Sequence, residues 1–291
     1  MHVNTNSITD GDYDEFRRFL EDACGIVLGD NKHYLVSSRL NRLLKESDVA
    51  SIGELIVQMK RNPRSGLRQQ VVDAMTTNET LWFRDSHPYT LLRELIFPDL
   101  AKQKTSPVRI WSAACSSGQE PYSISMIINE YLQTRPGSLQ DNFQIVATDI
   151  SPSMLVAAKA GKYDNLALSR GLSQERRDRF FRQSGETWEV RQDLKRRIQF
   201  SELNLMNSYA TLGKFHVVFC RNVLIYFSAE LKRDILGRLA QALVPGGYLI
   251  VGATESLASY TDAFETVRHA GGTVYQAKPR QRATASGAGL R

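Results

Sequence analysis

The chain has 291 residues, a formal charge of +6 and three cysteines. That length supports a packed core without disulfide staples, and Cys24, Cys115 and Cys220 are too scattered for a disulfide framework or a cysteine-rich zinc site. No apolar run approaches the ~20 residues of a membrane span, and the polar, acidic opening MHVNTNSITDGDYDEF is unlike a secretory signal; a reducing cytoplasmic setting is the expectation.

The first ~75 residues read as helices. Asp12 opens one with acids in its first turn, a stripe of Phe16, Phe19 and Leu20, and Gly25 and Gly29 at its end. A second runs from about Lys32 to Lys45, with Leu35, Leu40, Leu43 and Leu44 on one face and Arg39 and Arg42 on another. A third covers Gly53 to Met59 before Asn62-Pro63, and a fourth Leu67 to Met75. Charge is local: residues 1–30 hold seven acids against two bases, and residues 31–72 eight bases against three acids. The polar and aromatic TTNETLWFRDSHPY then reads as a linker.

From residue 107 the pattern alternates between strand and helix. Strands are predicted at Val108–Ala113, Phe143–Thr148, Ile198–Leu203, Phe215–Cys220 and Tyr248–Gly252, with helices at Glu120–Leu132, from Ser151-Pro152, and at Ala229–Leu243. A terminal hairpin flanks Gly271-Gly272. Such alternation implies a mostly parallel sheet covered on both faces. Phe181 to Gln199, turning at Gly185, breaks the alternation and reads as a small antiparallel insertion.

The strongest local signal is WSAACSSGQEPYS, residues 111–123. An apolar strand ends in small residues and a helix begins, so a ligand can approach the backbone where helix amides favour an anion. A tight strand-to-helix turn without a ligand reads equally well. One glycine and neither G-x-G-x-x-G nor G-K-[ST] argue against a pyrophosphate or triphosphate cradle; an amino acid joined to a nucleoside is the expected ligand size. Asp149, ending the second strand, suits two ribose hydroxyls, or simply caps the next helix. Asn204 in LNL and Arg221-Asn222 in FCRNVLIYF add polar groups at two more strand ends.

TTNETLWFRD, WSAACSSGQEPYS, ATDIS, LNL, FCRNVLIYF and GGTVYQA together resemble the bacterial chemotaxis receptor methyltransferases of the CheR type, over about residues 10–278. The resemblance implies an α/β, Rossmann-like S-adenosylmethionine-dependent methyltransferase domain with a small antiparallel β-subdomain, preceded by an all-α N-terminal domain. The expected division is a helical domain at 1–75, a linker contributing to the cofactor site at 76–90, the methyltransferase domain at 91–278 with its β-subdomain at about 180–200, and a disordered basic tail at 279–291. The implied reaction methylates glutamate side chains of methyl-accepting chemotaxis receptors, giving glutamyl methyl esters and S-adenosylhomocysteine for chemotactic adaptation. The implied cofactor contacts are Asn78, Thr80, Arg84, Glu120 near the methionine amino group, Asp149 on the ribose, Asn204 and Leu205 beside the adenine, and Arg221 and Asn222 on the floor. Arg84 and Tyr226 match the pair proposed to catalyse or to orient substrate. Gln119-Glu120 stands where the family often has two acids, and the short turn at Gly185 argues against tethering of a receptor pentapeptide.

The chemistry agrees. A glutamate carboxylate, with a pKa of about 4.3, needs no general base to attack a sulfonium methyl, so positioning and desolvation remain. Arg84 reads otherwise as a domain-linking ion pair and Tyr226 as a core aromatic. His87 is read as a helix-start residue, and Cys115 and Cys220 as buried hydrophobes. Arg39 and Arg42, with Lys45 further round, form either a docking face for an acidic receptor helix or a solvated basic face. No metal, nucleic acid or membrane insertion is expected, and a monomer is. A cofactor-binding signalling adaptor and a nucleic-acid methyltransferase are the alternatives.

Overall fold

Four amphipathic helices open the chain: α1 (Asp10–Cys24), α2 (His33–Glu46), α3 (Ile52–Arg61) and α4 (Leu67–Met75). The computed structural model describes residues 8–62, 66–269 and 271–279; the expected tail lies outside them apart from residue 279. The Thr9 hydroxyl caps α1 by accepting the Asp12 N–H, and Gly25 ends it at φ 77°, a left-handed conformation that glycine adopts without a Cβ penalty. Ser51 caps α3 in the same way. The apolar faces of these helices close on one core containing Tyr13, Phe16, Leu20, Leu40, Leu55 and Met75. Burying such side chains contributes about 1.5–3 kcal/mol each before entropy is counted.

The expected linker is shorter than predicted. Helix α5 (His87–Leu91) begins inside it and runs through a π-helical turn at Leu92–Ile96 into α6 (Phe97–Lys102). Pro88 sits in the first turn of α5, where a missing N–H is harmless, and Pro98 directly follows the π-helical turn. The polar FRDSHP hides this helix in the sequence, although Leu91, Leu92, Ile96 and Phe97 after it have helical apolar spacing and are all buried.

The rest of the chain is built on β1 (Val108–Ala113), α7 (Gln119–Thr134), β2 (Phe143–Asp149), α8 (Pro152–Ala160), β3 (Lys162–Tyr163), α9 (Asn165–Ser169), α10 (Gln174–Phe180), β4 (Phe181–Ser184), β5 (Thr187–Val190), α11 (Gln192–Lys195), β6 (Ile198–Glu202), β7 (Phe215–Cys220), α12 (Ala229–Ala242), β8 (Leu243–Ile250), β9 (Phe264–His269) and β10 (Gly272–Ala277). The large sheet has the order β6-β2-β1-β7-β8-β10-β9. Its first five strands pair in parallel, and β10 is antiparallel to β8 and β9. Strand order reverses between β1 and β7, and a crevice at the carboxyl ends is the expected ligand position. One face packs Phe97, Tyr131, Phe143 and Phe219, the other Trp111, Phe215, Leu236 and Leu239. Both faces are covered, which is why the parallel strands read as continuous apolar runs.

The small sheet, β3-β5-β4, is antiparallel. It starts earlier than expected, because Lys162–Tyr163 pairs with Trp188–Glu189; a two-residue strand has too little pattern to read. Strand β8 also begins earlier, at Leu243. Pro245-Gly246-Gly247 forms a bulge, so the register steps from Phe215↔Leu243 to Val217↔Tyr248.

Candidate functional site

A cleft of about 930 Å³, its open mouth included, lies at the carboxyl ends of β1, β2, β6 and β7 and under the helical domain. Asn78, Thr80, Arg84, Glu120, Asp149, Asn204, Leu205, Arg221, Asn222 and Tyr226 all line it. So do Cys24 and Ile26 from the end of α1, and Cys115 and Ser116 after β1.

Three loops shape the cleft, and each carries residues other than glycine in left-handed conformations. They are Phe83, Asp85 and Ser86 (φ 50°, 66°, 52°), Ala114 and Ser116 (φ 65°, 49°), and Asn222 (φ 56°). Such conformations cost roughly 1–3 kcal/mol each and persist only where the surroundings impose them. In the 114–118 turn, the Ser116 N–H donates to Asp149 Oδ2 at 2.7 Å and the Ser116 hydroxyl to the Asn78 carbonyl at 2.8 Å. Ser151 N–H donates to Asp149 Oδ1 at 2.9 Å. Asp149 is buried, and burial is the main cause that raises its pKa, against the lowering effect of these N–H donors.

At the other end lies a buried ionic cluster. Arg221, its side chain 2 % exposed, donates through Nη1 to Glu120 Oε2 at 2.9 Å and through Nη2 to Asp85 Oδ2 at 2.7 Å. Nη2 also donates to the Arg84 carbonyl at 2.8 Å, and the Ser112 hydroxyl donates to Glu120 Oε1 at 2.8 Å. One guanidinium thus joins the end of β7, the start of α7 and the 83–86 turn, in the forked geometry that lysine cannot supply. Arg221 Nε and the Tyr89 hydroxyl are buried without a hydrogen bond, and burial drives the Tyr89 pKa up. The same turn is gripped from behind. Arg176 pairs with Glu130 at 2.8 and 2.9 Å and stacks over the Phe83 ring at 3.9 Å.

The residues expected at the cofactor are therefore brought to one cleft, and two side chains, Asn204 among them and Arg39 from the expected docking face, do something other than expected. Asn204 donates to the Ala23 carbonyl at 2.8 Å and accepts the Met206 N–H at 2.9 Å, so its amide fastens the sheet to α1. Arg39 does not offer a free charge: its guanidinium donates to the Met75 and Thr76 carbonyls and to the Thr77 hydroxyl, holding the linker. Arg42 stays exposed and pairs with Glu46 at 2.7 Å. Arg84 donates to the Glu79 carbonyl at 3.1 Å, and among the described residues it has no domain-linking ion pair. His87 starts α5, its Nδ1 3.1 Å from the Asp85 carbonyl, and does not line the cleft. Cys115 does line it, but burial drives its thiol pKa far above the ordinary value, leaving it a poor nucleophile. Among the described residues no group of histidine, cysteine and carboxylate side chains is arranged to hold a metal, and no helix is long and apolar enough to cross a membrane. Asp85 was missed as a site residue although it closes TTNETLWFRD, and Ser112 although it precedes the small-residue turn.

Residues 11–76 match the family described as CheR methyltransferase, all-alpha domain, and residues 78–272 match CheR methyltransferase, SAM binding domain. The chain is similar to chemotaxis protein methyltransferase 1 of Pseudomonas aeruginosa, 56 % identical over 274 residues, covering 94 % of this chain and 100 % of that one. It is 54 % identical to chemotaxis protein methyltransferase Cher2 of Pseudomonas putida over 269 residues, covering 92 % and 98 %. To the chemotaxis protein methyltransferase of Escherichia coli it is 34 % identical over 273 residues, covering 92 % and 91 %. S-adenosylmethionine, named in the second description, fits the donor set. Each Asp149 oxygen accepts one N–H from the chain, leaving lone pairs for a vicinal diol, and the small residues of the 114–118 turn leave backbone within reach of a ligand.

Proposed function

The chain belongs to the CheR methyltransferase family, and from that premise we propose that it transfers a methyl group from S-adenosylmethionine to glutamate side chains of chemotaxis receptors. The products are glutamyl methyl esters and S-adenosylhomocysteine. The observation that carries this reading is the meeting of Asp149, Glu120, Arg84 and Tyr226, from four separate segments, around one cleft. When bound, S-adenosylmethionine supplies an electrophilic methyl group on a sulfonium. Asp149 would accept hydrogen bonds from its ribose, and Glu120, its carboxylate oriented by Arg221, would receive its methionine amino group. Leu205 offers an apolar surface to the adenine, and Asn78 and Thr80 line the linker side. Arg84 orients the incoming glutamate by a charge-assisted bond, and Tyr226 does so through its hydroxyl. A carboxylate oxygen of the substrate would attack the methyl carbon while the electron pair of the C–S bond leaves on sulfur, so no proton would have to move. That balance needs no histidine base, and among the described residues none lines the cleft. Of the two arginines expected to dock a receptor helix, Arg39 is occupied with the linker, whereas Arg42 is exposed and its surface pair with Glu46 can be exchanged for a receptor acid.

The test supplies methyl-labelled S-adenosylmethionine to the chain with a receptor cytoplasmic fragment and with RNA in parallel. Base-labile label on the receptor alone is expected. Stable label, or label on RNA, overturns the reading.

A further inference from the structure

Tyr226 and Asn222 stand on a loop between β7 and α12 that has little regular structure to hold it. It contains a single 3₁₀ turn, Leu224–Tyr226. Asn222 begins it in a left-handed conformation, which asparagine tolerates better than most residues but does not prefer. Something outside the loop must impose that shape.

The structure assigns that task to Glu255, as a positioning residue for the Asn222–Tyr226 loop. Glu255 does not line the cleft. Its Oε2 accepts the N–H groups of Asn222 and Gly252, both at 2.7 Å, and its Oε1 accepts the Ile225 N–H at 3.3 Å. The Glu255 N–H donates to the Gly252 carbonyl at 2.9 Å, so the carboxylate is presented by a tight turn just past the end of β8. Since β7 and β8 are parallel neighbours, this turn lies beside the start of the loop. A carboxylate is well suited to the place, because its two oxygens can accept all three N–H groups at once and a charged acceptor makes shorter, stronger bonds.

Gly252 packs against the same point. A Cβ there would lie 2.6 Å from Asn222 Nδ2 and 2.8 Å from Glu255 Oε2. Its φ is not left-handed, so a side chain at 252 would act by displacing these two side-chain ends. At its far end the loop is held by the helical domain, where the Val27 N–H donates to the Tyr226 carbonyl at 2.9 Å. Glu255 fixes one end and Val27 the other, with Tyr226 between Glu255's last contact and the interface.

This assignment rests on the methyl-transfer function proposed above. Its test compares the full chain with Glu255→Ala, Glu255→Gln and Gly252→Ala. The first readout is hydrogen exchange of the 222–226 segment, which needs no substrate. Glu255→Ala should speed that exchange while the 114–118 turn is unchanged. The second is methylation of a receptor fragment alongside calorimetry with S-adenosylhomocysteine. A displacement of the loop by about 1 Å lowers kcat on the order of 100-fold, with KM for the receptor changed much less. Glu255→Gln, which keeps a carbonyl acceptor, should recover part of kcat, and Gly252→Ala should lose kcat with Glu255 intact. Unchanged exchange in Glu255→Ala overturns the assignment. So does a fall in melting temperature and kcat together that Glu255→Gln fails to relieve, since that is a structural role alone. Failure of the unmodified chain to methylate any receptor overturns the proposed function instead, and the exchange result then still decides whether Glu255 holds the loop.

Discussion

Replacing Arg221 with methionine keeps most of the side-chain volume and removes the guanidinium that joins Glu120, Asp85 and the Arg84 carbonyl. The two carboxylates are 12 % and 29 % exposed, so neither gains full hydration when its partner goes. Breaking a buried pair from one side destabilises by about 3–5 kcal/mol, chiefly through the uncompensated charge left behind. At roughly 2–4 °C per kcal/mol for a domain of this size, Arg221→Met should lower the melting temperature by about 6–20 °C. Adding Glu120→Gln removes one stranded charge and leaves an incompletely bonded amide, a penalty of about 1–3 kcal/mol. The double variant should therefore be more stable than Arg221→Met alone, with a coupling of about 2 kcal/mol in a double-mutant cycle. Urea unfolding of the four proteins measures it. A single variant within about 1 kcal/mol of the unmodified chain, or a double variant no more stable than the single, would refute the view of Arg221 as the clamp.

Two further outcomes are expected. Asp149→Ala should weaken S-adenosylhomocysteine binding by roughly 10–150-fold, the worth of hydrogen bonds to a charged group; calorimetry showing unchanged affinity would remove Asp149 from the site. His216 accepts the Arg109 N–H through Nδ1 at 3.0 Å, and burial lowers its pKa. The unfolded chain therefore takes up the proton first as pH falls. Stability is unaffected well above about pH 6.5 and declines below it, down to the folded-state value. His216→Gln keeps an acceptor without titrating, so its unfolding free energy should decline less between pH 7 and 5, and equal slopes would disprove the assignment.

The sequence disclosed most where pattern and chemistry coincide. The alternation from Val108 onward predicted the parallel strands and their neighbours, because a strand buried on both faces must be apolar throughout. The small-residue turn at 114–118 and the acid at Asp149 were legible as strand ends, and both lie at the cleft. What stayed hidden is contact between segments far apart in the chain. Glu255 and Asn222 are 33 positions apart, and no local period links them. Arg39 was visible as a basic helical residue, but its bonds to residues 75–77 depend on how α2 and α4 pack. Asn204 was read from its motif, yet its amide is directed at α1. The helix from His87 was obscured because FRDSHP has the composition of a loop while the residues after it have the spacing of a helix.

The helical domain meets the sheet domain through apolar packing of Ile150 against the helical core and through polar bonds. Gln69 donates to the Ile150 carbonyl at 2.9 Å, Asp73 accepts from the Ser151 and Ser153 hydroxyls, and Asn204 reaches Ala23. Cys24, Ile26 and the 76–81 segment form part of the cleft wall from that side. A molecule held in the cleft touches both folding units and so acts as mortar between them. By reciprocity of linked equilibria, whatever strengthens docking of the helices tightens the ligand, and the ligand in turn tightens the docking. A receptor that pulled the helices away would loosen the ligand's grip, and one that pressed them down would delay release of the spent product. The seam between the domains is thus a place where engagement with a partner and retention of a small molecule draw on the same free energy.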